Sequence, residues 1–138
     1  MNRLSARVRR ISSWTLVVVA AITAYTLYFS FTTVQIHRGL GTSAYDFGLY
    51  DQGIWLLSRG RDPFVTLMGR NLFGDHTSFV LLLLVPFMWI FSSTSMLFVV
   101  QSVVIACGAI PIYAYARKRL ESDALGCVFA CTYLLYPA

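Results

Sequence analysis

Two long uncharged runs dominate the pattern of apolar and polar positions. Residues 14–33 and 96–116 contain no Asp, Glu, Lys, Arg or His. At a rise of about 1.5 Å per residue each can cross a hydrocarbon core ~30 Å thick, so each predicts a transmembrane helix. A third run, 78–91, is shorter and contains Pro86, a predicted kink. It reaches spanning length only if residues 72–77 or part of the polar linker 92–95 is drawn in. A fourth run opens at about 124, and the chain stops inside it at Tyr136-Pro137-Ala138 with no polar flank. The expected architecture is therefore all-α: the N-terminal part of a larger polytopic transmembrane helical bundle.

The segment between the first two runs, 34–76, is polar and has its own pattern. Gly39-Leu40-Gly41-Thr42-Ser43 is a flexible lead-in, after which Ser43 or Asp46 can cap a helix running to Arg59. Gly60 stands where a helix-terminating glycine would, and Pro63 follows. Phe47, Tyr50, Ile54 and Leu57 recur three and four apart as an apolar stripe, while Gly48, Asp51, Gln52, Trp55 and Arg59 occupy another face. Such a helix is too short and too charged to span, so it is expected to lie along the outer membrane surface.

Charge sets the orientation. Arg3, Arg7, Arg9 and Arg10 precede the first run with no acid among them, which predicts a cytoplasmic N-terminus. A cleaved leader is the rival reading, but the run is long for one and ends in Phe31-Thr32-Thr33-Val34-Gln35 rather than a small-x-small site. The loop after it carries Arg38, Arg59, Arg61 and Arg70 against Asp46, Asp51, Asp62 and Asp75, a balance that suits the outside. Simple alternation then leaves Arg117-Lys118-Arg119 outside too, against the positive-inside rule. Either 78–91 re-enters without crossing or the trio is an exception; full crossing is the expectation, because the first basic cluster often dominates. An outside trio could meet a lipid phosphate or simply anchor in headgroups.

Composition agrees with the bilayer. The chain is 57% hydrophobic and 12% charged, with a mean hydropathy of +0.65, whereas soluble domains carry roughly 25% charged residues. The net charge of +5 comes from arginines and lysines at the ends of apolar runs. That placement points to lipid headgroups and topology, and nucleic acid is not an expected partner. Cys107, Cys127 and Cys131 all lie in apolar runs and are expected as free thiols; no further ligands accompany them, so no metal site is expected there. The spans carry no ionisable group at membrane depth, which disfavours an ion-coupled transporter for these segments.

The acids are instead gathered in the loop. Tyr45-Asp46-x-Gly48-x-Tyr50-Asp51-Gln52, then Gly74-Asp75-His76, then a proline-containing run and Ile110-Pro111-Ile112-Tyr113, resemble a family of bacterial multi-spanning membrane proteins, domain of unknown function 2079, placed in the GT-C glycosyltransferase clan. The resemblance covers most of the chain after the first run. It implies an integral-membrane sugar transferase of the cytoplasmic membrane, using a polyprenyl-phosphate-linked sugar. Members of the clan carry an acid in the first external loop as catalytic base or as ligand to a divalent cation, and Asp46 and Asp51 match that placement. Such a carboxylate can take the proton of an acceptor hydroxyl as it attacks the anomeric carbon.

Asp46 is the expected base and Asp51 its partner or a metal ligand, with the roles exchangeable. Five residues put them about 140° apart on a continuous helix, so they share a face only if Asp46 lies in the cap. Gln52 and Arg59 on the helix, with Asp75 and His76 at the loop's end, are the candidate substrate contacts. His76 could meet a phosphate or relay a proton, with Asp75 orienting it, or the pair could cap the next helix. The rival reading is a non-catalytic polytopic protein, a transporter fragment or an assembly subunit, whose loop is an interaction surface.

Overall fold

The computed structural model describes residues 12–74 and 76–136. The chain divides into two compact units, the first drawn from Met1–Leu27 and Val103–Ala138 and the second from Tyr28–Ser102. About three-quarters of the described residues are helical. In order come α1 (Ser13–Arg38), α2 (Ala44–Ser58), the short strands β1 (Phe64–Val65) and β2 (Arg70–Asn71), 3-10 turns at Leu72–Gly74 and Phe79–Leu84, α3 (Val85–Ile90), α4 (Ser95–Cys107), α5 (Ala109–Arg119) and α6 (Asp123–Leu135). Among the described residues two helices are long and apolar enough to cross a membrane, Ser13–Arg38 and the combined Ser95–Arg119.

In the first unit, small residues let three helices approach closely. Ala106, Ala109 and Ala130 are fully buried together with Val18, Tyr113, Cys127 and Leu134. A Cβ at Gly126 would stand 2.8 Å from the Cβ of Arg117 and 3.1 Å from its backbone nitrogen, so α5 and α6 meet backbone to backbone there. Directions follow from four pairings. Thr15 Oγ1 lies 2.9 Å from the Tyr113 hydroxyl, while Tyr25 and Ile105 line one cavity, so α1 runs antiparallel to α4 and α5. At the next turn Arg117 pairs with Asp123 at 3.2 Å, and farther along the Tyr133 hydroxyl donates to the Ile105 carbonyl at 2.9 Å, so α6 folds back along α5.

The break between α4 and α5 has a local cause. Pro111 has no N–H to offer the Cys107 carbonyl, and its ring crowds that carbonyl. The Gly108 N–H bonds at 3.0 Å to Ile105, a tightened 3-10 turn, with a longer 3.3 Å contact to Val104. Cys127 and Cys131 share a face of α6 with their sulfurs 3.9 Å apart, and all three cysteines are free.

The second unit is built around α2. Helix α1 reaches Arg38, past the expected end near residue 33, so His37 belongs to its last turn rather than to the loop. It closes through Leu40, left-handed at φ 61°, with the Gly41 N–H bonding the Ile36 carbonyl at 2.8 Å. Ser43 caps α2, as its sequence position suggested, and Gly60 at φ 64° ends it, the Arg61 N–H reaching the Leu56 carbonyl at 3.0 Å. The strand pair after it was not anticipated. β1 and β2 are antiparallel with Phe64 opposite Asn71 and Val65 opposite Arg70, turning through Gly69 at φ 65°.

The expected apolar stripe of α2 needs correcting. Its buried side chains are Leu49, which joins Val65 and Leu72, and Ile54, which joins Met88 and Met96. Tyr50 is exposed. The shift has a physical source in Gly53: with no side chain there, Leu72 approaches so closely that a Cβ would stand 2.7 Å from its methyl. Protein therefore covers α2 on more than one side, and the face carrying Asp51 is not left to solvent.

The third apolar run is helical over six residues of 3-10 helix, Phe79–Leu84, and six of α-helix, Val85–Ile90. Pro86 sits in the first turn of α3, where its missing N–H costs nothing. The two pieces together extend about 21 Å, less than the ~30 Å of a hydrocarbon core. They lie beside α2 and run in its direction: Leu81 packs near Leu49, Met88 against Ile54, and Trp89 Nε1 donates to the Ser58 carbonyl at 2.7 Å.

Candidate functional site

Within the second unit, the end of α1, one face of α2 and the start of α4 converge on a small polar cluster inside an aromatic frame. Phe47 and Phe98 stack with centroids 4.4 Å apart and planes 12° from parallel. The His37 ring lies against both, 5.3 Å from Phe47 and 5.1 Å from Phe98. Its Nδ1 is 3.0 Å from the Thr42 hydroxyl, which the left-handed turn at Leu40 brings back beneath the helix end. One turn beyond Phe47, the partly buried Asp51 accepts a hydrogen bond of 3.3 Å from the Thr94 hydroxyl, immediately ahead of α4.

Burial pushes the Asp51 carboxyl above its ordinary 3.8, and the Thr94 hydrogen bond and the charge of His37 act against that push without overcoming it. A carboxylate short of water and held by one hydroxyl is a stronger proton acceptor than a solvated one. Acid and imidazole thus belong to one cluster, close enough for their charges to interact, and Asp51 can take the proton of a hydroxyl presented to it.

The other predicted residues fall elsewhere. Asp46 is inside α2, in its first turn, exposed, and bonded to its cap: its N–H reaches the Ser43 hydroxyl at 3.3 Å and its carboxylate accepts from that hydroxyl at 3.4 Å. Being helical, it stands about 140° around the axis from Asp51, so the two acids do not form a pair. Gln52 is engaged by the hairpin, its Oε1 accepting from the Thr66 N–H at 3.2 Å and the Thr66 hydroxyl at 3.1 Å. Arg59 caps α2, its guanidinium 5.8 Å from the Trp55 ring centroid, with that of Arg61 5.9 Å from the same ring. His76 lines a tight cleft with Leu49, Tyr50, Met68, Leu72, Ser78 and Leu81, away from the Asp51 cluster. Asp75 lies outside the described residues. In the first unit, Arg117 is taken up by Asp123 and by the Tyr113 ring, 5.5 Å away.

Sequence reasoning missed His37 and Thr94. The signals were present but ambiguous: His37 sits a few residues past the uncharged run, and Thr94 lies in a serine-rich linker that reads as a plain connection. As for a divalent cation, no three His, Cys, Asp or Glu residues come together among the described residues. Asp51 and His37 with two hydroxyls are too few strong donors for such an ion, so no step here is routed through one.

The family model described as a predicted membrane protein, DUF2079, matches residues 36–138. The chain belongs to this family. With two helices of membrane-crossing length and composition, it is a membrane protein. The family's matched stretch begins in the last turn of α1 and takes in His37, Asp51 and Thr94, so the whole cluster lies within the family region. Neither the curated proteins nor the solved structures contain a match.

Proposed function

We propose that this DUF2079 chain acts in a multi-pass glycosyltransferase-like protein of the cytoplasmic membrane, N-terminus inside, transferring a sugar from a polyprenyl-phosphate donor at the outer face. The observation that carries the reading is the partly buried Asp51 carboxylate, held by the Thr94 hydroxyl and facing His37 on a loop helix between two membrane-length helices. In the reaction, Asp51 accepts the proton of an acceptor hydroxyl while its oxygen bonds to the anomeric carbon. The anomeric C–O bond breaks, and the lipid phosphate leaves with the electron pair. The charge interaction with His37 partly offsets the effect of burial on the carboxyl, and Thr94 fixes one of its oxygens. Arg59 and Arg61 stand on the same helix end as cations for phosphate. The base is thus Asp51 and not Asp46, whose bonds serve the start of α2.

The test is transfer of labelled sugar from the polyprenyl carrier in membranes holding the complete protein. Loss of a general base costs about 10²- to 10⁴-fold in rate, so Asp51→Asn falls by at least two orders of magnitude while Asp46→Asn stays near wild type. Undiminished transfer by Asp51→Asn ends the catalytic reading.

One observation favours a second reading, in which the protein does no chemistry. Thr94 directly precedes α4, so Asp51 also suits a tether that sets a negative charge at a helix N-terminus. A tether predicts that Asp51→Asn weakens folding; a base predicts that it does not.

A further inference from the structure

We infer that the segment Phe79–Phe91 enters one leaflet of the bilayer and leaves on the side it entered, so that the chain crosses only at Ser13–Arg38 and Ser95–Arg119 before α6. The first support is directional. In the first unit, Thr15 near the start of α1 meets Tyr113 near the end of α5, and Tyr25 meets Ile105 across one cavity. Two neighbouring spans that run antiparallel leave the chain on one side of the membrane throughout the stretch between them. A single crossing by Phe79–Phe91 would make them parallel.

The second support is the segment's own shape. It is too short to cross, and it lies alongside α2 through Leu81, Met88 and the Trp89–Ser58 bond, so it shares the level of a helix that carries Asp46, Asp51 and Gln52. Its other side is uniformly apolar and uncovered: Phe79, Val80, Leu83, Trp89, Ile90 and Phe91 each expose more than half of their surface. The occupant of that face is lipid acyl chain. The apolar surface continues through a four-residue polar linker into the spanning helix Ser95–Arg119, and Trp89 at its end is the side chain that favours the interface.

The third support is charge. With no crossing at Phe79–Phe91, Arg117, Lys118 and Arg119 come to the same side as Arg3, Arg7, Arg9 and Arg10, and the conflict with the positive-inside rule disappears. This topology places the whole stretch from Gly39 to Thr94 on one face, with Asp51 at the level of lipid headgroups.

Cysteine mapping of the full-length protein in intact cells decides it. In a background with Cys107, Cys127 and Cys131 replaced by Ala, Leu67→Cys and Ser93→Cys are labelled by an impermeant maleimide from one side, and Ser122→Cys from the other; labelling after lysis controls for reactivity. Leu67→Cys and Ser93→Cys on opposite sides overturns the inference, whichever side each is on. A bimane on Leu83→Cys is quenched severalfold in vesicles of lipids brominated along their acyl chains. No quenching refutes insertion of the segment.

Discussion

The sharpest test of the packing is Gly126→Ala in α6. An added Cβ would stand 2.8 Å from the Arg117 Cβ and 3.1 Å from the Arg117 nitrogen, where ordinary contact begins at 3.4 Å. Neither is the loose end of a side chain, so α5 and α6 must part by roughly 0.6 Å, in a protein interior that compresses little. Overpacking of this kind costs about 1–3 kcal/mol, and alanine's better helix propensity returns ~1 kcal/mol, leaving a net loss of about 0–2 kcal/mol. Gly48→Ala in α2 is the control: its Cβ would meet only a Leu67 methyl at 3.1 Å, and Leu67 is exposed and free to turn away. There the propensity gain stands nearly alone, about 0.5–1 kcal/mol of stabilisation. Hydrogen exchange in detergent micelles reads the two segments separately, through α5–α6 amides for one and α2 amides for the other. If Gly126→Ala protects its segment as well as Gly48→Ala protects α2, the close backbone approach of α5 and α6 is refuted.

Three further outcomes follow from single features. Leu40 is 91% exposed and left-handed at φ 61°, so Leu40→Gly stabilises by about 1 kcal/mol in detergent unfolding, because only glycine adopts that region without a Cβ penalty. Gln52→Ala removes both bonds to Thr66; it costs about 1 kcal/mol and speeds exchange of the Thr66 amide without disturbing α4. Burial raises the Asp51 carboxyl above 3.8, so around and above that pH the folded state binds more protons than the unfolded one, and ionisation of Asp51 lowers stability as pH rises. Asp51→Asn keeps an acceptor for Thr94 without the charge, so its unfolding midpoint lacks that decline and at pH 7 is no lower than wild type.

Much of the fold was legible in local chemistry. The uncharged runs marked α1 and the helix through Ser95–Arg119, and Ser43 and Gly60 marked both ends of α2, because capping and spanning are decided by a few adjacent residues. What could not be read depends on partners distant in sequence. The buried face of α2 is set by Gly53 accepting Leu72 and by Ile54 meeting Met88 and Met96, so a helical stripe counted on α2 alone chose Tyr50, which is exposed, and passed over Leu49, which is buried. The β1–β2 hairpin has only two residues per strand, too few to show an alternating pattern, and it is held by Gln52 and by the 2.7 Å Asn71–Asp62 bond.

The candidate site illustrates the same limit in its chemistry. Asp46 and Asp51 look equivalent in sequence, two acids in one motif, and what separates them is their angle around α2. Asp46 points to its own cap. Asp51 points to Thr94 and the His37–Phe98 wall, more than forty residues of chain brought to one place. A hydroxyl donor such as Thr94 is satisfied equally by an amide, which would avoid the desolvation that burial imposes on a carboxylate. As a tether alone, then, the charge at position 51 is a disadvantage; the proposed role as proton acceptor and its charge interaction with His37 would each give it a use. The double variant Asp51→Asn with His37→Gln separates these: if the charge serves only to hold His37, the double variant is no less active than His37→Gln alone, whereas a proton acceptor leaves it inactive.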